Sequence, residues 1–243
     1  SAYILANQVL ALLLPFKLLK SLSMAKKIVK NFQPDVAIGV GGYASAPLLK
    51  KAESLDVPCV IQEQNSYAGL TNKWLAKKVK TICVAYDNMG QYFPKEKIVK
   101  TGNPVRSDII EAVIDQNEAR VSFGLEENRK TLLIVGGSLG AFTINETIEK
   151  LLPEFDKHNI QVVWQTGKYF FERAKKSAEA YENVSVNEFI YTMDKAYAGA
   201  DVVISRAGAL SISELCLVGK PTILIPSPNV SEDHQTKNAM ALV

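Results

Sequence analysis

The sequence predicts an α/β protein with two domains, each built on a doubly wound parallel β-sheet. Short β-branched runs alternate with helical patterns along most of the chain. A polar, charged stretch interrupts this alternation at residues 106–130. The length of 243 residues also exceeds the roughly 100–150 residues of a typical single domain. We therefore predict a first domain at 1–105, a connecting region at 106–130 and a second domain at 131–243, with a ligand-binding cleft between the domains.

The first domain is expected to contain one long helix and four strands. The helical pattern extends to about residue 32, and a further helix continues through Trp74. The predicted strands are 35–40, 58–62, 79–85 and 97–100. The chain starts at Ser1, without Met, inside an apolar stretch, and it stops inside a helical pattern. We therefore expect both domains to be incomplete.

The second domain begins with a purely aliphatic strand and repeats the same alternation. Its predicted strands are 131–135, 161–165, 184–189, 201–205 and 222–226. Its predicted helices are one ending near 155, followed by 169–181, 192–198 and 210–218.

Composition and charge limit the function classes. Hydrophobic residues are 47% and charged residues 22%, which excludes a disordered chain. Residues 1–105 carry 14 Lys and Arg against 6 Asp and Glu, whereas residues 106–243 carry 14 against 19. The basic first domain suggests an anionic partner, either a membrane surface or phosphates, although a solvated face is the alternative. Three scattered cysteines without a CxxC pair fit neither a disulfide framework nor a zinc site, which favours a reducing cytosol.

A glycine-rich turn follows the first strand of the second domain, with the sequence Gly-Gly-Ser-Leu-Gly-Ala at 136–141. Glycines let a ligand approach the backbone, and the N-terminus of the next helix suits a diphosphate. Ser138 can add a hydroxyl donor. The spacing matches neither the dinucleotide fingerprint nor a P-loop. We expect a diphosphate site here, with a ligand-free turn as the alternative.

A second segment places an acid behind another glycine turn. Residues 201–214 combine a strand, Gly208 and a helix that carries Glu214, and Gln235 follows in a polar stretch. A carboxylate on a helix that starts beside a diphosphate can accept both hydroxyl donors of a ribose. Glu214 alone also fits an ordinary surface acid, but its neighbours favour the ribose role.

Six segments, in order, resemble the successive motifs of the MurG family of glycosyltransferases over nearly the whole chain. They are 41–43, 63–65, 69–73, 102–106, 136–141 and 208–214. The resemblance implies a GT-B fold and a hexosyltransferase that moves N-acetylglucosamine, with inversion, from UDP-N-acetylglucosamine to lipid I, forming lipid II in peptidoglycan synthesis. It implies UDP-N-acetylglucosamine as donor substrate, no required cofactor or metal, a lipid-linked acceptor (undecaprenyl-pyrophosphoryl-MurNAc-peptide) and no nucleic acid.

The resemblance also implies roles for individual residues. Ser138 and Arg106 would lie at the diphosphate, Glu214 would bind the ribose, and the main chain at Ile190 would meet the uracil edge. The remaining substrate-binding positions are Ala209, Leu210, Ser211, Ile212 and Ser213 along the nucleotide, Gln235 at the sugar hydroxyls and Asn65 on the sugar or acceptor side.

The catalytic base stays unassigned. The family's proposed base is a histidine in an N-terminal glycine-rich loop, and this sequence does not contain that loop; its histidines are His158 and His234. Family members often carry a glutamine at the position of His234, so we expect a helix-start or surface position for it. A chain that lacks both ends of the family pattern is expected to be inactive by itself.

The resemblance adds weight to the membrane interpretation of the basic domain. Leu12, Leu13, Leu14 and Phe16 lie beside Lys17 and Lys20, and Trp74 lies among Lys73, Lys77 and Lys78. Apolar side chains ringed by lysines are typical of proteins resting on anionic lipid. The apolar stretch at 3–19 is too short and too polar to span a bilayer. We therefore expect a peripheral protein on the cytoplasmic side of a bacterial membrane.

Two alternatives remain at this point. One is another GT-B enzyme that uses a UDP-sugar, such as a UDP-N-acetylglucosamine 2-epimerase or a lipid glycosyltransferase; an epimerase needs several carboxylates at the sugar, and residues 60–70 offer only Glu63. The other is a non-catalytic two-domain module that closes on a small ligand, which leaves Glu214, Gln235 and the basic first domain unexplained.

Overall fold

The computed structural model describes the backbone of residues 2–242 and the side chains of residues 15–230 and 232–242. The chain forms two compact units, unit 1 at Ser1–Asn103 and unit 2 at Pro104–Val243.

Unit 1 is a four-stranded parallel sheet with helices packed on it. Its elements are α1 Ala2–Phe32, β1 Ala37–Gly39, α2 Ser45–Glu53, β2 Cys59–Glu63, α3 Leu70–Leu75, β3 Thr81–Val84 and β4 Ile98–Lys100. The strand order is β1-β2-β3-β4, so each strand is added on the same side as the one before. Among the described strands of unit 1 the order does not reverse. The fully buried Ile61 and Ile82 form the centre of its core.

Helix α1 packs on α2 through a narrow apolar stripe. Ala25 and Val29 are both buried and lie one helical turn apart. Phe16, Leu19 and Phe32 of the same helix are exposed. In the part of the chain that the structure describes, no helix is long and apolar enough to cross a membrane.

Unit 2 is a five-stranded parallel sheet with the doubly wound topology that the sequence predicts. Its elements are α4 Ser107–Ile110, α5 Gln116–Val121, β5 Thr131–Val135, α6 Phe142–Lys157, β6 Gln161–Gln165, α7 Phe171–Ala178, β7 Val184–Asn187, α8 Met193–Gly199, β8 Val202–Ser205, α9 Ala209–Val218, β9 Thr222–Leu224 and α10 His234–Met240. The strand order is β7-β6-β5-β8-β9, which reverses at β5. Leu133 belongs to the core on one face of the sheet and its neighbour Ile134 to the core on the other face, as expected for alternating side chains.

Residues 106–130, predicted as a connecting region, lie within unit 2. Helix α5 is capped by Asp115, whose carboxylate accepts from two backbone N–H groups of the first turn at 2.9 and 3.0 Å. Arg120 is 5% exposed and donates to the carbonyl of Gly199 at 3.0 Å and to Asp201 at 2.8 Å. These contacts fix α5 against α8, so this stretch is a packed part of the unit.

Candidate functional site

The candidate site of unit 2 lies at the carboxyl edge of its sheet. The strand-end residues in register across this edge are Asn187, Gln165, Val135, Ser205 and Leu224. Most of the predicted site residues of this unit follow β5, β7, β8 and β9, namely Ser138, Ile190, the segment 209–214 and Gln235. Arg106 is the exception, because it directly precedes α4. Because parallel strands end at one edge, the topology collects these separated motifs there.

The glycine-rich turn after β5 leads directly into α6. The N–H of Gly140 donates to the carbonyl of Gly137 at 3.0 Å, and Ser138 between them is exposed. The N-cap residue of the 16-residue helix α6 is Ala141, whose methyl group cannot accept a hydrogen bond from the first-turn amides. The turn therefore presents a hydroxyl beside a helix N-terminus, which is an arrangement suited to a phosphate.

The turn packs against the loop that follows β6. Gly140 has φ +78°, and a Cβ there would overlap the carbonyl oxygen of Thr166. The side chain of Asn145, on α6, donates to the same carbonyl at 2.7 Å and accepts from the indole of Trp164 at 3.0 Å. All three of these residues are buried, so the start of α6 is held against the end of β6.

One buried side chain joins the turn to the segment after β7. Gln165 is 3% exposed; its Nε2 donates to the carbonyl of Gly137 at 3.1 Å, and its Oε1 accepts from the N–H of Ile190 at 2.9 Å. Ile190 is itself buried at 3% exposure. The sequence analysis did not single out Gln165; the available signal was a polar residue that follows three apolar residues at the carboxyl end of a strand.

Glu214 is held by a tyrosine that sequence analysis also missed. The hydroxyl of Tyr197, on α8, donates to Oε2 of Glu214 at 2.9 Å. Burial first, and then the Glu214 carboxylate, raise the pKa of Tyr197 far above its ordinary value, so it stays a neutral donor. The charge of Arg106 acts on that pKa in the opposite direction, although Arg106 is exposed and its Nε lies 3.5 Å from Asp108.

The start of α9 carries the predicted nucleotide-lining residues. Leu210 is 49% exposed, whereas Ile212 is 2% exposed and packs into the interior. The side chain of Ile212 is therefore shielded from a ligand at the surface. Ser213 Oγ donates to the carbonyl of Ala209 at 3.0 Å, and Ser211 is half-buried.

The loop after β9 is braced by two polar side chains. Gln235 accepts from the N–H of Ser227 at 2.8 Å through Oε1. Arg206 donates to the carbonyls of Ile225 and Pro226 at 3.1 and 3.0 Å and to the hydroxyl of Thr143 at 3.2 Å. Burial lowers the pKa of Arg206, but an arginine keeps its charge. This cation therefore lies at the first turn of α6.

In unit 1, Asn65 follows β2 and is held by a buried acid. Glu63 is 2% exposed and accepts from the N–H and Nδ2 of Asn65 at 3.1 and 3.3 Å. It also accepts from the N–H of Gly69 at 3.0 Å and from Nδ2 of Asn72 at 2.8 Å. Its carboxylate therefore orders the loop that presents Asn65.

The two histidines lie at helix ends. His234 is the first residue of α10, where the sequence analysis expected it, and His158 is the exposed C-cap of α6. Among the side chains that the structure describes, no group of three or more His, Cys, Asp or Glu residues is placed to hold a metal ion.

Two models of one family match the chain. The N-terminal domain model of glycosyltransferase family 28 matches residues 7–84, and the C-terminal domain model of the same family matches residues 131–243. The chain belongs to glycosyltransferase family 28. This membership confirms the predicted α/β GT-B fold, and the relatives and the solved structure described next confirm the MurG-type resemblance.

Two relatives of this family 28 chain carry the same name. A protein of Parabacteroides distasonis named UDP-N-acetylglucosamine–N-acetylmuramyl-(pentapeptide) pyrophosphoryl-undecaprenol N-acetylglucosamine transferase is 58% identical over 229 residues, 93% of this chain and 62% of its own length. A protein of Cytophaga hutchinsonii with the same name is 58% identical over 94% of this chain and 61% of its own length. The chain thus spans about three fifths of the length of these relatives.

Solved structures show the same architecture. The crystal structure of Acinetobacter baumannii MurG is similar with a TM-score of 0.71 and 34% identity, over 94% of this chain and 63% of that one. A UDP-GlcNAc 2-epimerase from Neisseria meningitidis bound to UDP-GlcNAc has a TM-score of 0.59 at 13% identity, over 92% of this chain and 71% of its own, and that likeness concerns the fold alone.

Proposed function

We propose that the protein containing this chain transfers N-acetylglucosamine, with inversion, from UDP-N-acetylglucosamine to lipid I, giving lipid II. The observation that carries this proposal is the 58% identity to the Parabacteroides distasonis transferase across both units. Family 28 membership by itself does not select the acceptor, whereas the relatives' name specifies an undecaprenol-linked muramyl acceptor.

The geometry of unit 2 supports a diphosphate at the start of α6. The turn at 136–141 carries the exposed Ser138 and leads directly into the first-turn N–H groups of α6. The positive end of the helix dipole and the guanidinium of Arg206, whose Nη2 lies 3.2 Å from Thr143 in that first turn, favour a negative charge there. We assign the exposed Arg106 to the same diphosphate.

The uridine half is assigned to the neighbouring strand ends. A carboxylate can accept at about four sites, so Glu214 can hold both ribose hydroxyls while Oε2 keeps its hydrogen bond from Tyr197. Gln165 accepts from the N–H of Ile190, and the carbonyl of the same residue is not part of that hydrogen bond. That carbonyl can accept from the N3–H of uracil, whereas cytosine presents an acceptor at that position.

The sugar and acceptor are assigned to polar side chains beyond the nucleotide. Nε2 of Gln235 is the donor end of an amide whose oxygen is fixed by Ser227, and we assign it to a sugar hydroxyl. In unit 1 we assign Asn65, ordered by Glu63, to the sugar or the acceptor.

In the proposed reaction an acceptor hydroxyl attacks the anomeric carbon of the sugar as UDP leaves. The new bond forms between the acceptor oxygen and that carbon, and the bond from the carbon to the diphosphate oxygen breaks. Negative charge grows on the diphosphate, where the α6 amides, Ser138 and Arg106 stabilise it. The attacking hydroxyl loses its proton to a base that we do not assign to a described residue.

We further propose that unit 1 is the acceptor-side domain and rests on anionic lipid. Phe16 and Leu19 of α1 are 70% and 64% exposed beside the exposed Lys17 and Lys20, and Trp74 is 52% exposed. Lysines near a lipid surface contribute about 1 kcal/mol each. The predicted Leu12, Leu13 and Leu14 lie outside the described side chains.

Two other lysines near Trp74 have partners within unit 1. Lys73 lies 4.1 Å from the ring of Tyr67, and Lys78 pairs with Glu53 at 3.1 Å. The lysines of α1 therefore carry more of this proposal. We expect liposomes with anionic lipid to float the protein, and flotation to fall in the double variant Phe16→Ser and Leu19→Ser. Val113→Ser, at a fully exposed position of unit 2, is the control, and equal flotation of all three proteins would contradict the proposal.

The surroundings of Glu63 in unit 1 do not support the alternative that the protein is an epimerase. An epimerase needs carboxylates that reach the sugar, but Glu63 is 2% exposed and already accepts four hydrogen bonds. A carboxylate so fully used is committed to ordering its own loop.

Calorimetric titration tests the donor assignment. UDP-N-acetylglucosamine is expected to bind in preference to UDP-glucose and NAD, and Glu214→Ala is expected to weaken binding about tenfold or more. Glu179→Ala, at the exposed C-cap of α7, is the matched control and should bind like the unaltered chain. Binding of NAD in place of the UDP-sugar would overturn the donor assignment. Transfer of labelled N-acetylglucosamine to lipid I by the complete protein, with no transfer to diacylglycerol, then tests the acceptor.

A further inference from the structure

The loop between β6 and α7, residues 166–170, lies against the turn that holds the proposed diphosphate site. Gly167 is buried and has φ +74°, and a Cβ there would overlap the peptide group that joins Leu139 to Gly140. The main chain of Gly167 therefore contacts that turn with no side chain between them. Lys168 follows directly, with its Cα about 3.8 Å from that of Gly167, so its side chain begins beside the turn.

The other end of this loop packs beside the start of α6. Phe170 is 3% exposed, and the centre of its ring lies 5.5 Å from that of Phe142, the first residue of α6. The N–H of Phe170 donates to the carbonyl of Gly167 at 3.3 Å, which closes a tight turn over Lys168 and Tyr169. The turn that carries Lys168 is thus fixed at both ends to residues on either side of the α6 N-terminus.

Hydrogen bonds from two neighbouring elements hold the same loop in place. The carbonyl of Thr166 accepts from Nδ2 of Asn145, on α6, at 2.7 Å. The N–H groups of Thr166 and Gly167 donate to the carbonyls of Asn187 and Glu188 at 2.9 and 3.0 Å. A side chain carried by such a loop is presented to a ligand without the cost of ordering the main chain first.

Lys168 brings a charge that the neighbouring acids do not compensate. It is exposed, and among the side chains that the structure describes no Asp or Glu forms an ion pair with it. Other cations near the start of α6 are engaged: Arg173 lies 3.0 Å from Glu149 and 3.7 Å from Glu146. Arg206 donates through Nη1 to two main-chain carbonyls.

We propose that Lys168 is a further substrate-binding residue, whose ammonium pairs with the diphosphate of the donor at the turn 136–141. A four-carbon stem and three N–H donors let a lysine follow a phosphate as a mobile point charge. The ligand class is a nucleoside diphosphate, and the same contact stabilises the negative charge that grows on the diphosphate as UDP leaves. This inference rests on the proposed function of the same site.

A charge-removing pair of variants tests the proposal. Lys168→Met keeps most of the stem and loses the ammonium, and Lys176→Met, at an exposed position of α7, removes the same charge away from the turn. Both variants are expected to melt at the temperature of the unaltered chain, because both lysines are exposed. Calorimetry should show that Lys168→Met lowers the affinity for UDP about 5–10-fold and keeps the affinity for uridine, whereas Lys176→Met keeps both.

The other outcomes of this comparison are equally defined. Equal UDP affinity in Lys168→Met and Lys176→Met would overturn the inference and leave the proposed function intact. An equal loss for UDP and uridine in Lys168→Met would also overturn it, because uridine has no phosphate for the ammonium to bind. Failure of the unaltered protein to bind UDP would overturn both the inference and the proposed function.

Salt and a charge-preserving variant give readouts that a purely structural role would not produce. The advantage in UDP affinity of the unaltered chain over Lys168→Met should shrink as the ionic strength rises from about 0.05 M to about 0.5 M, because salt screens exposed charges. Lys168→Arg keeps the charge and should retain most of the affinity. An advantage that does not change with salt, or a loss in Lys168→Arg as large as that in Lys168→Met, would contradict the role given to the ammonium.

Discussion

Replacing Gly140 by alanine tests whether contact between two loop backbones shapes the candidate diphosphate site. Gly140 has φ +78°, and its added Cβ would overlap the carbonyl oxygen of Thr166. The left-handed backbone costs an alanine roughly 1–2 kcal/mol, and displacing the packed loop adds about 1–3 kcal/mol. The expected loss in the free energy of unfolding is therefore about 2–5 kcal/mol, a large part of the 5–15 kcal/mol typical of a whole domain.

Gly137 provides the comparison within the same turn. It has φ +91°, but an added Cβ would meet no described atom within 4 Å. Gly137→Ala should therefore lose only the backbone cost, roughly 1–2 kcal/mol. Urea denaturation gives the two unfolding free energies, and calorimetry gives the UDP affinities. Gly140→Ala should also lose UDP affinity, because the start of α6 must move away from the loop at Thr166. Equal stability of the two variants, or full UDP affinity in Gly140→Ala, would refute the reasoning.

Three further perturbations follow from buried polar contacts. Tyr197→Phe keeps the ring but removes the hydroxyl that donates to Glu214 at 2.9 Å. The affinity for UDP, measured by calorimetry, should therefore fall about 3–10-fold. An unchanged affinity would contradict the role given to the hydroxyl. Burial alone would raise the pKa of Asp201, but the N–H of Thr131, Lys130 and Arg120 together hold it below the ordinary 3.8. This carboxylate therefore stabilises the fold above about pH 4 and loses that contribution as the pH falls through its folded-state pKa. Asp201→Asn should lower the free energy of unfolding at pH 7, measured by urea denaturation, by about 3–5 kcal/mol, because it removes the charge that pairs with Arg120. The free energy of unfolding of this variant should also fall less than that of the unaltered protein as the pH is lowered. If the two proteins lost stability in parallel on acidification, the role given to Asp201 would be contradicted. Glu63→Gln places the NH₂ group of an amide among N–H donors, so the free energy of unfolding of unit 1 should fall by about 1–3 kcal/mol. An unchanged midpoint of urea denaturation would show that the carboxylate is not needed for stability.

The strands were predictable because aliphatic runs and glycine turns are local signals. The strand 131–135 matches β5 and the strand 161–165 matches β6, and the other strand boundaries agree within two residues. The region 106–130 was harder, because the contacts of Arg120 with Gly199 and Asp201 join residues about 80 positions apart. A contact between residues so far apart in the sequence cannot be predicted from a local pattern.

The candidate site was predictable in part for the same reason. Residues that stand in glycine motifs, such as Ser138 and Glu214, were found from spacing and resemblance, and their roles stay proposals. Gln165 and Tyr197 were missed because their partners lie 25 and 17 residues away. The exposure of a single side chain also cannot be predicted from the motif alone. The sequence analysis therefore did not distinguish Ile212, which is 2% exposed, from its more accessible neighbours.

The contact between the turn at 136–141 and the loop at Thr166 has a consequence for protein engineering. A donor site is often altered by grafting one loop from a relative. Here the graft of a single loop would bring a foreign surface against Gly140, where no Cβ can be accommodated. The two loops form one exchangeable module, and chimeras that replace 136–145 and 164–167 together should keep their fold where single-loop chimeras fail.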